Sequence, residues 1–222
     1  MMNNAKVLSV HTGRVAPLGP DGDRSAFVKH AIPGPVKVSF SGVQGDEQAD
    51  LKAHGGPDKA VYGYGAGHYA AWQTEFPKNA ALFVPGGVGE NLAIDGIDES
   101  MIHVGDVHAI GSVLLQACQP RQPCFKFALR FDNNQLPKAM VRNGRSGWYY
   151  RVLQEGIITP GDRVTLHDRP NPGFPFLRLV ALIYHGDIRA GELERMVDMT
   201  GLAVQWQQHA RKTLEKKGGQ DN

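Results

Sequence analysis

Turn-forming residues set the limits on what this chain can fold into. Up to about residue 170, short runs of β-branched, aliphatic and aromatic residues are cut by Gly and Pro, and 21 of the chain's 27 glycines lie there. Glycine supplies the positive φ angles of tight turns and bulges, so this pattern predicts a mainly β fold of short strands. "AKVLSVHTG" (5–13) reads as a strand that stops at Gly13. "SAFVKHAIPGPVKVSF" (25–40) reads as strand on both sides of its Pro-Gly-Pro breaker. "MIHVGDVHAI" and "SVLLQACQ" flank Gly111 and Ser112 and predict a hairpin, and "GIITPGDRVTLHD" (156–168) reads as strand, turn, strand. Residues 102–110 and 158–166 share Ile-x-x-Gly-Asp followed by alternation. That echo suggests two like elements of a β-barrel, or simply the liking of Gly-Asp for turns.

Helical spacing interrupts the strands in "GHYAAWQTEFP" (67–77), where Tyr69, Trp72 and Phe76 fall on one face and Pro77 ends the run. An aromatic stripe of this kind is core packing. "NNQLPKAMVRNG" (133–144) is a second candidate, with Gly144 as its C-cap. After the proline-rich "HDRPNPGFPF", which reads as a linker, three short helical segments follow to residue 217. The chain thus divides into a β domain over 1–170 and a three-helix appendage over 176–217.

At 222 residues the chain can bury a core without staples, and its net charge of +2 gives no reason to expect nucleic acid or anionic membrane as partner. The start has no continuous apolar stretch of the secretory kind, and no run of 18 apolar residues occurs, so the expectation is a cytoplasmic protein with reduced thiols.

Four stretches could carry chemistry. In "QPRQPCFKF" (119–127), Pro120 and Pro123 take Cys124 out of regular sheet, while Arg121 and Lys126 supply the positive charge that favours a thiolate. Cys118, inside the alternating strand, reads as a small buried hydrophobe. "GDEQADLKAHGGPDKAVYGY" (45–64) gathers Asp46, Glu47, Asp50, His54 and Asp58 around two glycines, but a metal site there would match neither zinc nor EF-hand spacing. "PGGVGENLAIDGI" (85–97) looks like a phosphate-cradling loop but lacks the Gly-Lys-Ser/Thr of one, and Asn91 stands beside its glycines. In "RNGRSGWYYRV" (142–152), Arg142 and Arg145 bracket a serine and glycines, which suits a phosphate group or a solvated cationic loop.

Taken together, "GDEQAD…HGGPDKAVYGY", "VGENL", "VGDVHAIGSVLLQACQPRQPCFK" and "GWYYRVL" resemble MOSC-domain proteins, named for the C-terminal domain of molybdenum-cofactor sulfurases. The likeness runs from about residue 6 to 168 and is nearest to the stand-alone YiiM-like branch, whose C-terminal 3-alpha domain the last helices resemble. The resemblance implies a β-barrel and a molybdenum-pterin cofactor, with Cys124, after its "R-x-P" turn, as metal ligand. By position in these motifs, Arg121, Lys59, Asn91, Arg142 and Arg145 become candidates for the cofactor's phosphate and pterin. His54 and Asp58 become candidates for shaping the pocket and delivering protons.

The activity implied is a molybdenum-dependent reductase of N-hydroxylated compounds, such as hydroxylaminopurines and hydroxylamines, with a detoxifying role. The chain carries no flavin or nicotinamide motif, so a flavoprotein or iron–sulfur reductase would supply electrons. A sulfur carrier with a Cys124 persulfide, and a protein that binds or delivers the cofactor, keep the same cysteine and pocket. The appended helices would cover an open sheet edge or dock the redox partner.

Overall fold

The computed structural model describes residues 4–50 and 55–218. Its main sheet is built from strands β1 (Lys6–Thr12), β4 (His30–Ile32), β7 (Val61–Gly65), β8 (Leu92–Asp95), β9 (Val107–Ile110), β10 (Val113–Pro120), β11 (Trp148–Gln154) and β13 (Val164–Asp168). Two small sheets flank it: β2 (Ala16–Leu18) with β3 (Asp23–Ser25), and β5 (Val36–Ser39) between β6 (Gly42–Val43) and β12 (Gly156–Ile158). Six helices complete the described residues: α1 (His68–Glu75), α2 (Phe125–Phe131), α3 (Leu136–Asn143), α4 (Phe176–His185), α5 (Glu192–Val197) and α6 (Val204–Gly218). A sheet-rich fold with several helices is thus what the turn pattern delivers.

The eight strands run in the order β13-β9-β10-β11-β7-β8-β1-β4, antiparallel except for the β7–β8 pair. The expected barrel is corrected to an open, strongly curled ladder. Its ends do meet. Val7 N donates to Asp162 O at 2.9 Å, Val164 N donates to Ala5 O at 2.9 Å, and Lys6 bridges Arg163. A continuous seam does not form, because β4 takes the same edge of β1 from Val10 to Thr12.

The hairpin at Gly111 and Ser112 joins β9 to β10, with Val113 opposite Ile110. The second Gly-Asp element makes no hairpin with itself, since β12 pairs with β5 while β13 pairs with β9. The echo is instead one turn used twice. Asp106 Oδ2 accepts from His103 N at 2.9 Å, and Asp162 Oδ2 accepts from Thr159 N at 2.7 Å. In each the carboxylate closes its own turn over three residues, which is why Gly-Asp recurs.

Two buried clusters fill the fold. One is aliphatic and continuous from the sheet (Val7, Leu92, Ile94, Leu115, Val152) into the C-terminal helices (Phe176, Leu179, Leu193, Met196, Leu202). The proline-rich stretch between them is anchored rather than loose. Arg169 pairs with the buried Asp106 at 2.7 Å, Asn171 Nδ2 donates to Val104 O and Thr200 O, and Phe174 and Phe176 are buried. The other cluster is aromatic and lies under α1, α2 and α3. Trp72 stacks on Phe83 at 5.4 Å, Phe83 stacks on Phe131 at 4.5 Å, and Phe127 meets Phe131 edge to face. Large aromatic side chains each bury enough surface that such a stack dominates its region.

Candidate functional site

The site begins where β10 ends. The ladder runs through Pro120, opposite Trp148, and stops. Pro120 and Pro123 lack the N–H that would continue it. Cys124 then caps α2 with extended backbone (φ −117°, ψ 173°) and a half-buried side chain. Helix α2 itself has no counterpart among the elements read from the sequence, where Phe125, Phe127, Leu129 and Phe131 alternate. Phe127, Ala128 and Phe131 bury one helical face against the aromatic cluster, and tertiary packing overrides the local alternation. Cys118, six residues earlier, is fully buried, with Sγ 3.2 Å from Asp58 O and 3.3 Å from Tyr149 O. Burial pushes its thiol well up, out of reach of ionisation.

Cys124 opens onto a cleft of about 630 Å³ counting the solvent at its open mouth. Its walls come from distant parts of the chain. Ser25 ends β3 and Ala26, Phe27 and Lys29 follow it, Asp46 to Gln48 follow β6, and Lys59 sits on the 3-10 turn Pro57–Lys59. Tyr62 comes from β7 and Tyr149 from β11, while Arg121, Cys124 and Lys126 come from the end of β10 and the start of α2. Four basic side chains and two carboxylates line it, so the cleft is positive although the chain is close to neutral.

Each charge is held by its surroundings. Arg121 is 6% exposed, and its guanidinium carbon lies 4.7, 5.0 and 5.6 Å from the ring centres of Phe27, Tyr62 and Phe127. Its Nη1 donates to Val88 O. Arginine alone among the cations presents a flat face to such rings. Lys29 pairs with Asp46, and the two side chains are 8% and 11% exposed. Burial nonetheless pulls Lys29 below its ordinary value, so desolvation outweighs the Asp46 attraction. Asp46 also accepts from Gly13 N at 2.7 Å and Asn91 Nδ2 at 2.8 Å. Lys59 is pulled down too, chiefly by burial.

The glycine loop that resembles a phosphate cradle is filled by its own side chain. Glu90, fully buried, accepts from Gly86 N at 2.6 Å, Val88 N at 3.0 Å and the Tyr69 hydroxyl. Gly86 stands at φ +84°, and a Cβ there would lie 2.8 Å from the His11 ring. The loop's amides therefore serve an internal carboxylate. Burial pushes Glu90 up.

Of the residues singled out in the sequence, Cys124, Arg121, Lys59 and Asn91 come together in the cleft wall. Asn91 is committed to the framework, accepting from Tyr62 N at 3.0 Å and donating to His11 O at 3.1 Å. Arg142 and Arg145 do not line the cleft. Both bond Glu75, at 2.6 and 2.7 Å, and Arg145 lies over Trp72. Asp58 also lies outside the lining, paired with Arg151 and accepting from Val204 N at 2.9 Å. His54 lies outside the described residues. Sequence reasoning missed Phe27, Lys29, Tyr62 and Tyr149. The one signal for Lys29 was a lysine inside the apolar run "AFVKHAI", which a buried carboxylate such as Asp46 would accompany.

Among the described residues, no three His, Cys, Asp or Glu side chains gather to hold a metal ion by themselves. A metal here would take one soft ligand from Cys124 and bring the others with it. A single thiol among lysines fits an anionic, sulfur-bearing metal cofactor.

This fold, with a lone cysteine at the head of a basic cleft, defines a MOSC-domain protein. The MOSC domain matches residues 50–165, and the chain belongs to that family, within its YiiM-like branch. It is 34% identical over 210 residues to Protein YiiM of Escherichia coli K12, covering 95% of this chain and 91% of that protein. The crystal structure of YiiM from Geobacillus stearothermophilus superposes with a TM-score of 0.78 at 28% identity, covering 94% of this chain and 98% of that one. A protein of Gibberella moniliformis named Reductase is 38% identical over 179 residues, which make up 80% of this chain but only 32% of that longer protein. No helix among the described residues is long and apolar enough to cross a membrane.

Proposed function

We propose that this chain is a molybdenum-cofactor-dependent reductase of N-hydroxylated compounds, fed with electrons by a separate flavoprotein or iron–sulfur reductase. The observation that carries the reading is Cys124, a single half-buried thiol at the head of a cleft lined by Lys29, Lys59, Arg121 and Lys126. Family membership and the relative named Reductase support the redox class.

In this reading Cys124 would hold the metal of the cofactor through Sγ, and the lysines would offset the charge of the pterin phosphate. Phe27, Tyr62 and Tyr149 form walls that keep water from the reacting atoms. Arg121, clasped by its rings, holds the floor in place. The bound cofactor supplies the two-electron reduction. Overall, R–NHOH takes two electrons and two protons, the N–O bond breaks, and R–NH2 and water leave. The electrons are assigned to a partner on the sequence reading, which finds no flavin or nicotinamide motif.

The test is an assay of cofactor-loaded protein with hydroxylaminopurine and an external flavin reductase. The reading expects aminopurine from wild type and none from Cys124→Ser. Loaded wild type that makes no aminopurine, but carries sulfane sulfur on Cys124, would assign the cleft to sulfur transfer instead.

A further inference from the structure

The segment that presents Cys124 is tied down from behind by the C-terminal helices. The Tyr184 hydroxyl, on α4, donates to the backbone carbonyl of Arg121, three residues before the cysteine. Tyr184 packs against both the aliphatic and the aromatic cluster. Burial pushes its phenol up, so it stays protonated and remains a donor. From α6 and the residue before it, Ala203 N donates to Cys118 O at 3.1 Å, and the side chains of Gln205 and Trp206 donate to Gln119 Oε1. Gln119 in turn donates to Asp58 O at 2.9 Å, and Asp58 Oδ2 accepts from Val204 N. Asp58 neighbours Lys59. Two strips of the cleft wall, one bearing Cys124 and one bearing Lys59, therefore converge on the same helices.

We propose that the C-terminal helices act as a clamp on the Cys124 segment, with Tyr184 as the positioning residue through which α4 sets the thiol. Pro120 and Pro123 give up the ladder that would otherwise fix this segment, and a proline-flanked stretch without ladder bonds needs another source of rigidity. Tyr184 touches neither substrate nor cofactor in this account. Covering a sheet edge would not require bonds aimed at residues 118 to 121.

The proposal rests on Cys124 being the working thiol, and its test avoids the cofactor altogether. Full-length, metal-free wild type and Tyr184→Phe are treated with iodoacetamide, and Cys124 alkylation is followed by mass spectrometry. Hydrogen exchange over 121–127 and a thermal melt are measured in parallel. Tyr184→Phe keeps the ring and loses only the donor. Its Cys124 should be alkylated about fivefold faster, the factor that one ordinary hydrogen bond is worth. Exchange should rise in 121–127 alone, with the melting temperature within about 5 °C of wild type. Trp206→Phe, which removes the bond to Gln119 along with part of the indole's packing on the core, should move both readouts the same way but less. Alkylation and exchange unchanged in both variants would overturn the clamp. So would exchange raised throughout the chain, which would make Tyr184 a general stabilising contact. Neither result depends on whether the cleft takes molybdenum.

Discussion

Cys118 and Cys124 lie on one strand and its continuation, yet the regions around them are built on opposite plans. Around Cys118, which falls at a bulge in the β10–β11 pairing, β11 flanks the strand on one side and Ala203 N, donating to Cys118 O, closes the other, and the neighbouring polar groups are consumed internally. Asp58 pairs with Arg151, Arg151 bonds Gln116, and Gln119 bonds Asp58. Around Cys124 the prolines end the ladder, and the charges of Lys29, Lys59 and Lys126 line a cleft. The same side chain is packing where the ladder continues and a candidate ligand where it stops. Backbone pairing, more than cysteine itself, separates the two roles.

The largest expected difference between the two regions is in reactivity. Iodoacetamide on native protein should label Cys124 at least about 10³-fold faster than Cys118, because Cys118 reacts only through opening of the sheet. Comparable rates would break the comparison. Next in size is the buried acceptor that stiffens the cleft wall. Asp46→Ala strands Lys29, Gly13 N and Asn91 Nδ2 together, and should cost about 3–5 kcal/mol in urea denaturation.

The core near Cys118 adds a pH signature. Burial holds His108 down at about 4, with only partial relief from Asp106. The unfolded chain takes up that proton near pH 6.5 and the folded one does not. Stability should therefore fall as pH drops from about 6.5 to about 4, by roughly 2–3 kcal/mol from this residue. Buried His11, held at about 4 mainly by burial, acts in the same sense, while the raised Glu90 acts in the opposite one. The clean readout is thus the wild-type pH profile minus that of His108→Gln, which should lose this slope. Smallest is the direct swap. Cys118→Ser buries a hydroxyl in a thiol's place and should cost about 1–2 kcal/mol, whereas Cys124→Ser should stay within about 0.5 kcal/mol.

Strands, the Gly111 hairpin, helices α1 and α3 and the C-terminal helices were legible because their signals are local: alternation, helical spacing, Gly and Pro. So was Cys124, set off by two prolines. Helix α2 was not, because "CFKFALRF" alternates like a strand and only contact with Phe27, Phe83 and Trp72 decides it. Nor was the partner of each charge. Arg142 and Arg145 suited an anion, but the anion they meet is Glu75, 67 and 70 residues away in sequence. Nothing local tells Asp46 from Glu47 or Asp58 as the carboxylate that receives Lys29. The glycine loop around Glu90 had the right amides for an anion, and only the fold shows that the anion is its own.

The central claim, that Cys124 is a ligand while Cys118 is packing, is tested most directly by molybdenum analysis of three proteins. Wild type, Cys118→Ala and Cys124→Ser would be purified without oxidants from a host that makes the cofactor in excess. The account expects about one molybdenum per chain in wild type and in folded Cys118→Ala, and none in Cys124→Ser. Metal retained by Cys124→Ser, or absent from all three, would contradict it.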